Sequence, residues 1–325
     1  MSTLTTPPPD IFSARDDVPR LRKALKKGIR CKTSVVIEIL AHRDSTQRDL
    51  ILQEYETTYS EPLTKRISSE LHGNLKKAML LWMDEPANRD ATVARQALTS
   101  PLVDYQAITE VICSRSPSQI RRFKEVYQKV YHTRLERDIE DSLSGDLKKL
   151  LHEYISVPRY EGPEFDQEIV EKDAMDLYKA GEGKMLGTNE KTFIRIFSDR
   201  SRAHLAAIAK AYERSNGHSL EKALKNETSG YFERGLFAIL RCATNPALYF
   251  AKILRKAMKG LGTDDSRLIR VIVTRTEIDM EQIKEAYLSR YEKSLSNAVR
   301  SDTSGHYKDF LLSLIGSDDM ETRVL

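Results

Sequence analysis

Cysteine is scarce in this 325-residue chain: Cys31, Cys113 and Cys242 form an odd, widely spaced set with no CxxC pair. That excludes a disulfide framework and a thiolate zinc site. Long apolar runs are missing too. None approaches the ~20 residues that span a bilayer, and the opening "MSTLTTPPPD" lacks the charged-then-apolar order of a secretory signal. With free thiols suited to a reducing compartment, these absences lead us to expect a soluble, cytoplasmic protein. Neither sign of charge dominates: 52 Lys and Arg against 48 Asp and Glu leave +4. Such a balance is unlike the field of a nucleic-acid binder, so no nucleic-acid partner is expected. HExxH, GxSxG and the D-x-D-x-D-G loop of an EF-hand are also absent.

What is present is a fourfold period. Aligning "VVIEILAHRDSTQRDLILQEY" with "AITEVICSRSPSQIRRFKEVY", "TFIRIFSDRSRAHLAAIAKAY" and "RLIRVIVTRTEIDMEQIKEAY" brings Arg43, Arg115, Arg200 and Arg275 into register. Twelve residues past each arginine stands Tyr55, Tyr127, Tyr212 or Tyr287, and thirty past each stands Gly73, Gly145, Gly230 or Gly305. The arginines are 72, 85 and 75 residues apart. The long middle interval holds "SVPRYEGPEFDQEIV", read as a linker between a first pair of repeats and a second. The expected division is a tail of residues 1–13, repeat I at 14–85, repeat II at 86–156, a linker at 157–170, repeat III at 171–243, repeat IV at 244–316 and a tail at 317–325.

Each repeat reads as helices alone, about five of them. Ile120, Phe123, Tyr127 and Val130 make one stripe of a 3.6-residue period. After each marker arginine comes Asp44, Ser116, Ser201 or Thr276, side chains able to cap a helix N-terminus. Gln119 and Pro117 strengthen the start after Ser116.

Repeat IV contains "KAMKGLGTDD", two glycines around one leucine followed by a threonine. Nearby glycines let the backbone turn with positive φ and aim successive carbonyl oxygens at a hard cation. Such a loop needs a carboxylate from elsewhere, and Asp302 lies forty residues beyond Gly262. Repeat III repeats the relation, with Gly187 thirteen residues before Arg200 and Glu227 forty beyond Gly187. In repeat I, Gly28 and Glu70 keep register but Arg30 and Cys31 replace the second glycine and the threonine. In repeat II, Ser100, Leu102 and Val103 replace the loop residues and Ser142 the acid, so no site is expected there. The two repeats with glycine and threonine have the acid, and repeat II, which lacks them, lacks the acid as well, which favours a metal over mere helix capping.

These repeats, with "MKGLGTDD", the distant "SDTSG" and "LAHR", resemble the annexins, and "LLWMDEPANRDA" with "RYEGPE" resembles the plant members. The resemblance runs from about residue 14 to 316. It implies an all-α fold, a curved disc of four five-helix repeats with calcium on its convex face, docking reversibly on anionic phospholipid membranes. By that pattern Ca2+ takes main-chain carbonyls of Met258, Gly260 and Gly262 with the Asp302 carboxylate, and carbonyls of Gly183, Met185 and Gly187 with Glu227. The repeat III loop is one residue longer than the usual short form. Plant members keep mainly the first and last sites, a pattern from which the altered first loop departs. The basic run "RLRKALKKGIRCK", residues 20–32, is a second candidate for headgroup contact, through Lys26, Lys27 and Arg30, without calcium.

Rival readings rest on thinner signals. The resemblance links His42 to a peroxidase activity, Cys113 and Cys242 to a redox pair, and the family to a weak nucleotide phosphatase. "GEGKMLGT" lacks the strand and the Lys-Ser/Thr ending of a phosphate loop. Arg115 and Arg275 match arginines that flank a hydrophilic passage in the family. "FIRIF" suggests actin as a partner or serves equally as core helix, and self-association on membranes is left open.

Overall fold

The computed structural model describes residues 1–26 and 31–318. Among them are twenty α-helices and no strand, five helices to each repeat. Repeat I holds α1 (Ala14–Ala24), α2 (Thr33–Leu40), α3 (Ser45–Tyr59), α4 (Leu63–Glu70) and α5 (Gly73–Met83). Repeat II holds α6 (Pro86–Thr99), α7 (Tyr105–Cys113), α8 (Pro117–Tyr131), α9 (Leu135–Ser142) and α10 (Gly145–Ser156). Repeat III holds α11 (Gln167–Ala180), α12 (Glu190–Asp199), α13 (Arg202–Asn216), α14 (Leu220–Glu227) and α15 (Gly230–Thr244). Repeat IV holds α16 (Pro246–Ala257), α17 (Asp265–Arg275), α18 (Met280–Tyr291), α19 (Leu295–Asp302) and α20 (Gly305–Ile315).

The chain forms two compact units. One joins residues up to Arg89 with those from Phe250 onward, repeats I and IV, and the other is Asp90–Tyr249, repeats II and III. The proline-rich segment after α10 therefore lies inside the second unit, where Arg159 stacks on Tyr154 at 3.6 Å and donates to the Tyr154 carbonyl.

The marker arginines explain the period. Arg43 reaches back to Asp17 on α1 with two hydrogen bonds of 2.7 and 2.9 Å. Arg115 does the same to Asp90 on α6 at 2.6 and 2.7 Å, and Arg200 to Asp173 on α11 at 2.5 and 3.3 Å. Each fork clamps the chain leaving the second helix to the first helix. Repeat IV has Phe250 where the aspartate would be, so Arg275 lies over that ring at 4.4 Å and takes its carboxylate from Asp279.

This exchange corrects one expected cap. Asp44, Ser116 and Ser201 do accept main-chain N–H bonds at the starts of α3, α8 and α13, and the first two complete capping boxes with Gln47 and Gln119. Thr276 does not. It is helical and its hydroxyl donates back to the Ile272 carbonyl at 2.7 Å, while α18 starts only at Met280. Both carboxylate oxygens of Asp279 serve Arg275, and the Met1 carbonyl accepts the Glu281 N–H instead. The N-terminal segment thus completes the helix start, held there by Thr3, which donates to the Thr276 and Leu314 carbonyls.

The core follows the periodic positions with one exception. Ile120, Phe123 and Tyr127 are buried, but Val130 is 49% exposed and Val126 packs inside in its place, because the last turn of α8 runs past the core. The four repeat tyrosines are buried, and the four repeat glycines open their helices with φ of +58 to +64°. Trp82 is buried, donates to the Leu40 carbonyl at 2.8 Å and carries the guanidinium groups of Arg48 and Arg89 at 3.7 and 5.1 Å from its ring. Both arginines bond Glu277.

The forks generate a prediction. Asp90→Ala leaves the buried Arg115 guanidinium without its carboxylate and costs about 3–5 kcal/mol, whereas Asp146→Ala, which removes an exposed pair with Lys149, costs less than about 1 kcal/mol. Thermal unfolding of the two variants beside the parent measures the difference.

Candidate metal centre

In every repeat the link from first to second helix is closed by one main-chain hydrogen bond. Lys32 donates to Ala24, Asp104 to Ala97, Asn189 to Ala180 and Asp264 to Ala257, at 2.8 to 2.9 Å. These bonds enclose seven, six, eight and six residues. The repeat III loop is therefore two residues longer than that of repeat IV.

In repeat IV the chain leaves α16 at Met258, whose N–H still bonds Leu254 and Arg255. It turns through Gly260 at φ +116° and Gly262 at φ +85°, values that disfavour any side chain. A Cβ at either glycine would meet nothing within 4 Å, so conformation rather than space demands glycine there. Leu261 at the tip is fully exposed. Thr263 ends the loop, and its hydroxyl lies 2.5 Å from Oδ2 and 3.0 Å from the main-chain oxygen of Asp302. Asp264 then caps α17 by accepting the Arg267 N–H at 3.0 Å. Asp302 is the last residue of α19, so the threonine hydroxyl joins the two interhelical corners of the repeat.

Repeat III is built alike where it matters. Thr188 Oγ1 lies 3.0 Å from Glu227 Oε2 and 2.8 Å from the Glu227 carbonyl, and Gly187 has φ +66°. Met185 and Leu186 are exposed at the tip. Gly181 follows α11 as Met258 follows α16, and a Cβ there would stand 2.9 Å from Glu227 Cγ, so glycine lets the acid pack against the backbone. The Gly181 carbonyl is taken by the Lys184 N–H at 2.8 Å. Among the described residues, no hydrogen bond ends on the main-chain oxygens of Gly183, Met185, Gly187, Met258, Gly260 or Gly262.

Repeat II has neither half: Val103 stands in the threonine place, Ser142 ends α9 in the acid place and Leu102 is exposed. In repeat I, Glu70 ends α4 with Arg66 3.7 Å away, while Lys27, Gly28 and Arg30 lie outside the described residues. Two of the cations in the basic run are already matched, Arg20 with Glu38 and Arg22 with Glu61, both at 2.8 Å. Lys23 and Lys26 are exposed.

The donor set suits calcium. Among the described residues no three His, Cys, Asp or Glu side chains gather as a metal cluster, so an ion at these loops would rely on main-chain oxygens plus one carboxylate. Oxygen-only donors around an open position fit a hard cation that completes its shell from outside. The rival sites look different. His42 turns Nδ1 to the Glu38 carbonyl at 2.9 Å. Cys113 is buried and burial pushes its thiol well up, away from the reactive thiolate. "GEGKMLGT" joins two helices, and Phe193, Ile194, Ile196 and Phe197 of "FIRIF" are core residues. Arg115 and Arg275 are each forked to an aspartate. Among the described residues, no helix is long and apolar enough to cross a membrane.

Sequence reasoning missed Glu182. It occupies the extra length of the repeat III loop and accepts from the Tyr212 hydroxyl at 2.7 Å and from His218 at 2.8 Å. In repeats I and II an arginine two residues before the loop alanine, Arg22 or Arg95, serves that tyrosine and its acid. Repeat III has Tyr178 at that position, and the longer loop supplies Glu182. Burial raises the Glu182 carboxyl, but the bonds from Tyr212 and His218 outweigh it and hold the group below its usual range. The His218 ring faces the Asn216 carbonyl on Nδ1 and Glu182 on Nε2, both at 2.8 Å. Two acceptors favour imidazolium, so the Asn216 carbonyl first and Glu182 second raise its pKa. The tie is therefore complete below about pH 6.5 and is lost as pH rises through the raised folded value. An NMR titration should place His218 above an ordinary histidine, and Glu182→Gln should move it back.

Comparison with known proteins identifies the repeated unit. A family model described as Annexin matches residues 16–82, 89–153, 172–239 and 249–314. Annexin D5 of Arabidopsis thaliana is 52% identical over 309 residues, covering 95% of this chain and 97% of that protein. Of solved structures, annexin III aligns with a TM-score of 0.93 at 33% identity over 98% of both chains. Calcium-bound annexin (Sm)1 aligns with a TM-score of 0.85 at 27% identity, over 98% of this chain and 93% of that one. A count of twenty helices could arise in an unrelated bundle, but a separate family match on each of the four repeats could not, and the chain belongs to the annexin family.

Proposed function

We propose that this protein docks reversibly on anionic phospholipid bilayers through calcium held at the loops of repeats III and IV. The observation that carries this reading is the threonine hydroxyl. Thr188 and Thr263 each bind the carboxylate of the opposite corner, in the two repeats that have the glycine turns and in neither of the pattern's failures. The bond fixes one acid beside the exposed turn. In repeat IV the ion would be held by the main-chain oxygens of Met258, Gly260 and Gly262 with Asp302. In repeat III it would be held by those of Gly183, Met185 and Gly187 with Glu227. Use of the Gly181 carbonyl within the loop favours Gly183 as the first donor there.

When bound, calcium supplies positive charge and open coordination positions that a lipid phosphate can enter. The chain's own part is to present about five oxygens per site, three carbonyls and a bidentate carboxylate, and to withhold the rest. Sites so incomplete bind free calcium weakly and gain affinity when lipid arrives, because the coupling between two ligands is reciprocal. Two sites on one chain then add through effective concentration. The exposed tips Leu261, Met185 and Leu186 supply apolar contact beside the turns.

Co-sedimentation with phosphatidylserine vesicles tests the reading. Wild type should pellet with calcium and be released by chelator. Asp302→Asn combined with Glu227→Gln should stay in solution at calcium concentrations that pellet wild type, and unchanged pelleting would show the ligands to be misplaced. Thr263→Val and Thr188→Val keep every proposed ligand but free the acids, and should each raise the calcium requirement of their site by about tenfold.

A further inference from the structure

Repeat II lacks both halves of a metal site, yet its loop is not bland. Leu102 stands 87% exposed at the tip. Three residues on, Tyr105 opens α7, and its ring stacks on that of Tyr231 with centroids 3.9 Å and planes 12° apart. Arg234, nearly one turn further along α15, holds its guanidinium 5.1 Å from the centre of the Tyr231 ring. Tyr231 is 45% exposed and Arg234 is exposed, so this aromatic and cationic cluster is surface rather than core. Its corner matters. Tyr231 is the second residue of α15, four residues after Glu227, so the corner that carries the repeat III acid also carries the stack.

The other corners differ. Asn74, Asp146 and His306 follow the repeat glycine where Tyr231 follows Gly230, and Thr33, Glu190 and Asp265 open the helices matching α7. All six are polar. The aromatic pair therefore joins the helix that follows the one loop with neither acid nor threonine to the repeat III acid corner, within one compact unit.

We propose that Leu102, the Tyr105–Tyr231 stack and Arg234 form a metal-free contact with the interface of an anionic bilayer, next to the calcium contact of repeat III. The proposal rests on the membrane reading above and adds a second kind of contact to it. Tyrosine rings prefer the headgroup level, where an apolar body and a polar hydroxyl are both satisfied. Leu102 extends the apolar surface beyond the rings. Arg234 supplies the charge complementary to a lipid phosphate, which a guanidinium binds through two parallel hydrogen bonds, and its position over Tyr231 orders it before lipid arrives. Continuity with the repeat III turn brings all four side chains down when calcium docks that corner.

Trp82, the one tryptophan, is buried, so a Leu102→Trp reporter can be read in the full-length protein. With calcium and phosphatidylserine–phosphatidylcholine vesicles the reporter should shift to the blue and be quenched by lipids brominated near the headgroup. Leu102→Asp and Arg234→Gln should each weaken vesicle binding at saturating calcium by about fivefold, the order expected for one charge at an anionic leaflet. Calcium binding without lipid should be unchanged in both. A reporter that stays water-exposed while the protein pellets, or full binding by both variants, would overturn this contact and leave the calcium reading standing. Failure of wild type to pellet would overturn both. A blue shift that grows with protein concentration in the absence of vesicles would overturn it in favour of a second copy of the chain.

Discussion

The repeat depends on an arginine fork. In three of the four repeats a guanidinium just past the second helix grips an aspartate on the first, at distances of 2.5 to 3.3 Å. A pair of this kind is costly to bury and costlier to break, so the two helices it joins have one preferred arrangement. The loop between those helices inherits its end points from that arrangement. Repeat IV shows the constraint by exception: with Phe250 in the aspartate place, Arg275 draws Asp279 out of a capping role, and the Met1 carbonyl takes over the exposed N–H of α18.

Once the end points are held, loop length and composition decide what each repeat can do. Repeat IV closes its loop with six residues, two of them glycines at positive φ, and among the described residues no hydrogen bond ends on the main-chain oxygens of Met258, Gly260 or Gly262. Repeat III spends eight, and the extra length carries Glu182 back to the buried tyrosine whose usual arginine partner is missing. Six residues without glycine, in repeat II, make an apolar tip instead, and the helix that follows opens with Tyr105 stacked on Tyr231. One scaffold thus supports oxygen-rich and aromatic corners, with the threonine-to-acid hydrogen bond marking the oxygen-rich ones.

Much of this was legible in the chain because a repeated fold repeats its constraints. The glycine thirty residues past each arginine recurs because each opens a helix at positive φ. The forty-residue relation between Gly262 and Asp302, and between Gly187 and Glu227, survives because two corners of one repeat meet in space. Thr276 and Val130 misled, and for a physical reason: their surroundings depart from the repeat average, one because Arg275 lost its usual partner and the other because α8 outruns the core. No periodicity in a single repeat carries such information.

By itself the sequence determined the helical character, the fourfold order and which repeats hold glycine, threonine and acid together, since these are matters of residue type and spacing along one dimension. Tertiary structure alone decided that repeats I and IV make one compact unit and II and III the other, that Glu182 reaches Tyr212 and His218, and that Tyr105 meets Tyr231. Those are contacts between residues far apart in the chain. They are set by which helix faces find each other when apolar surface leaves water, and no local pattern records the choice.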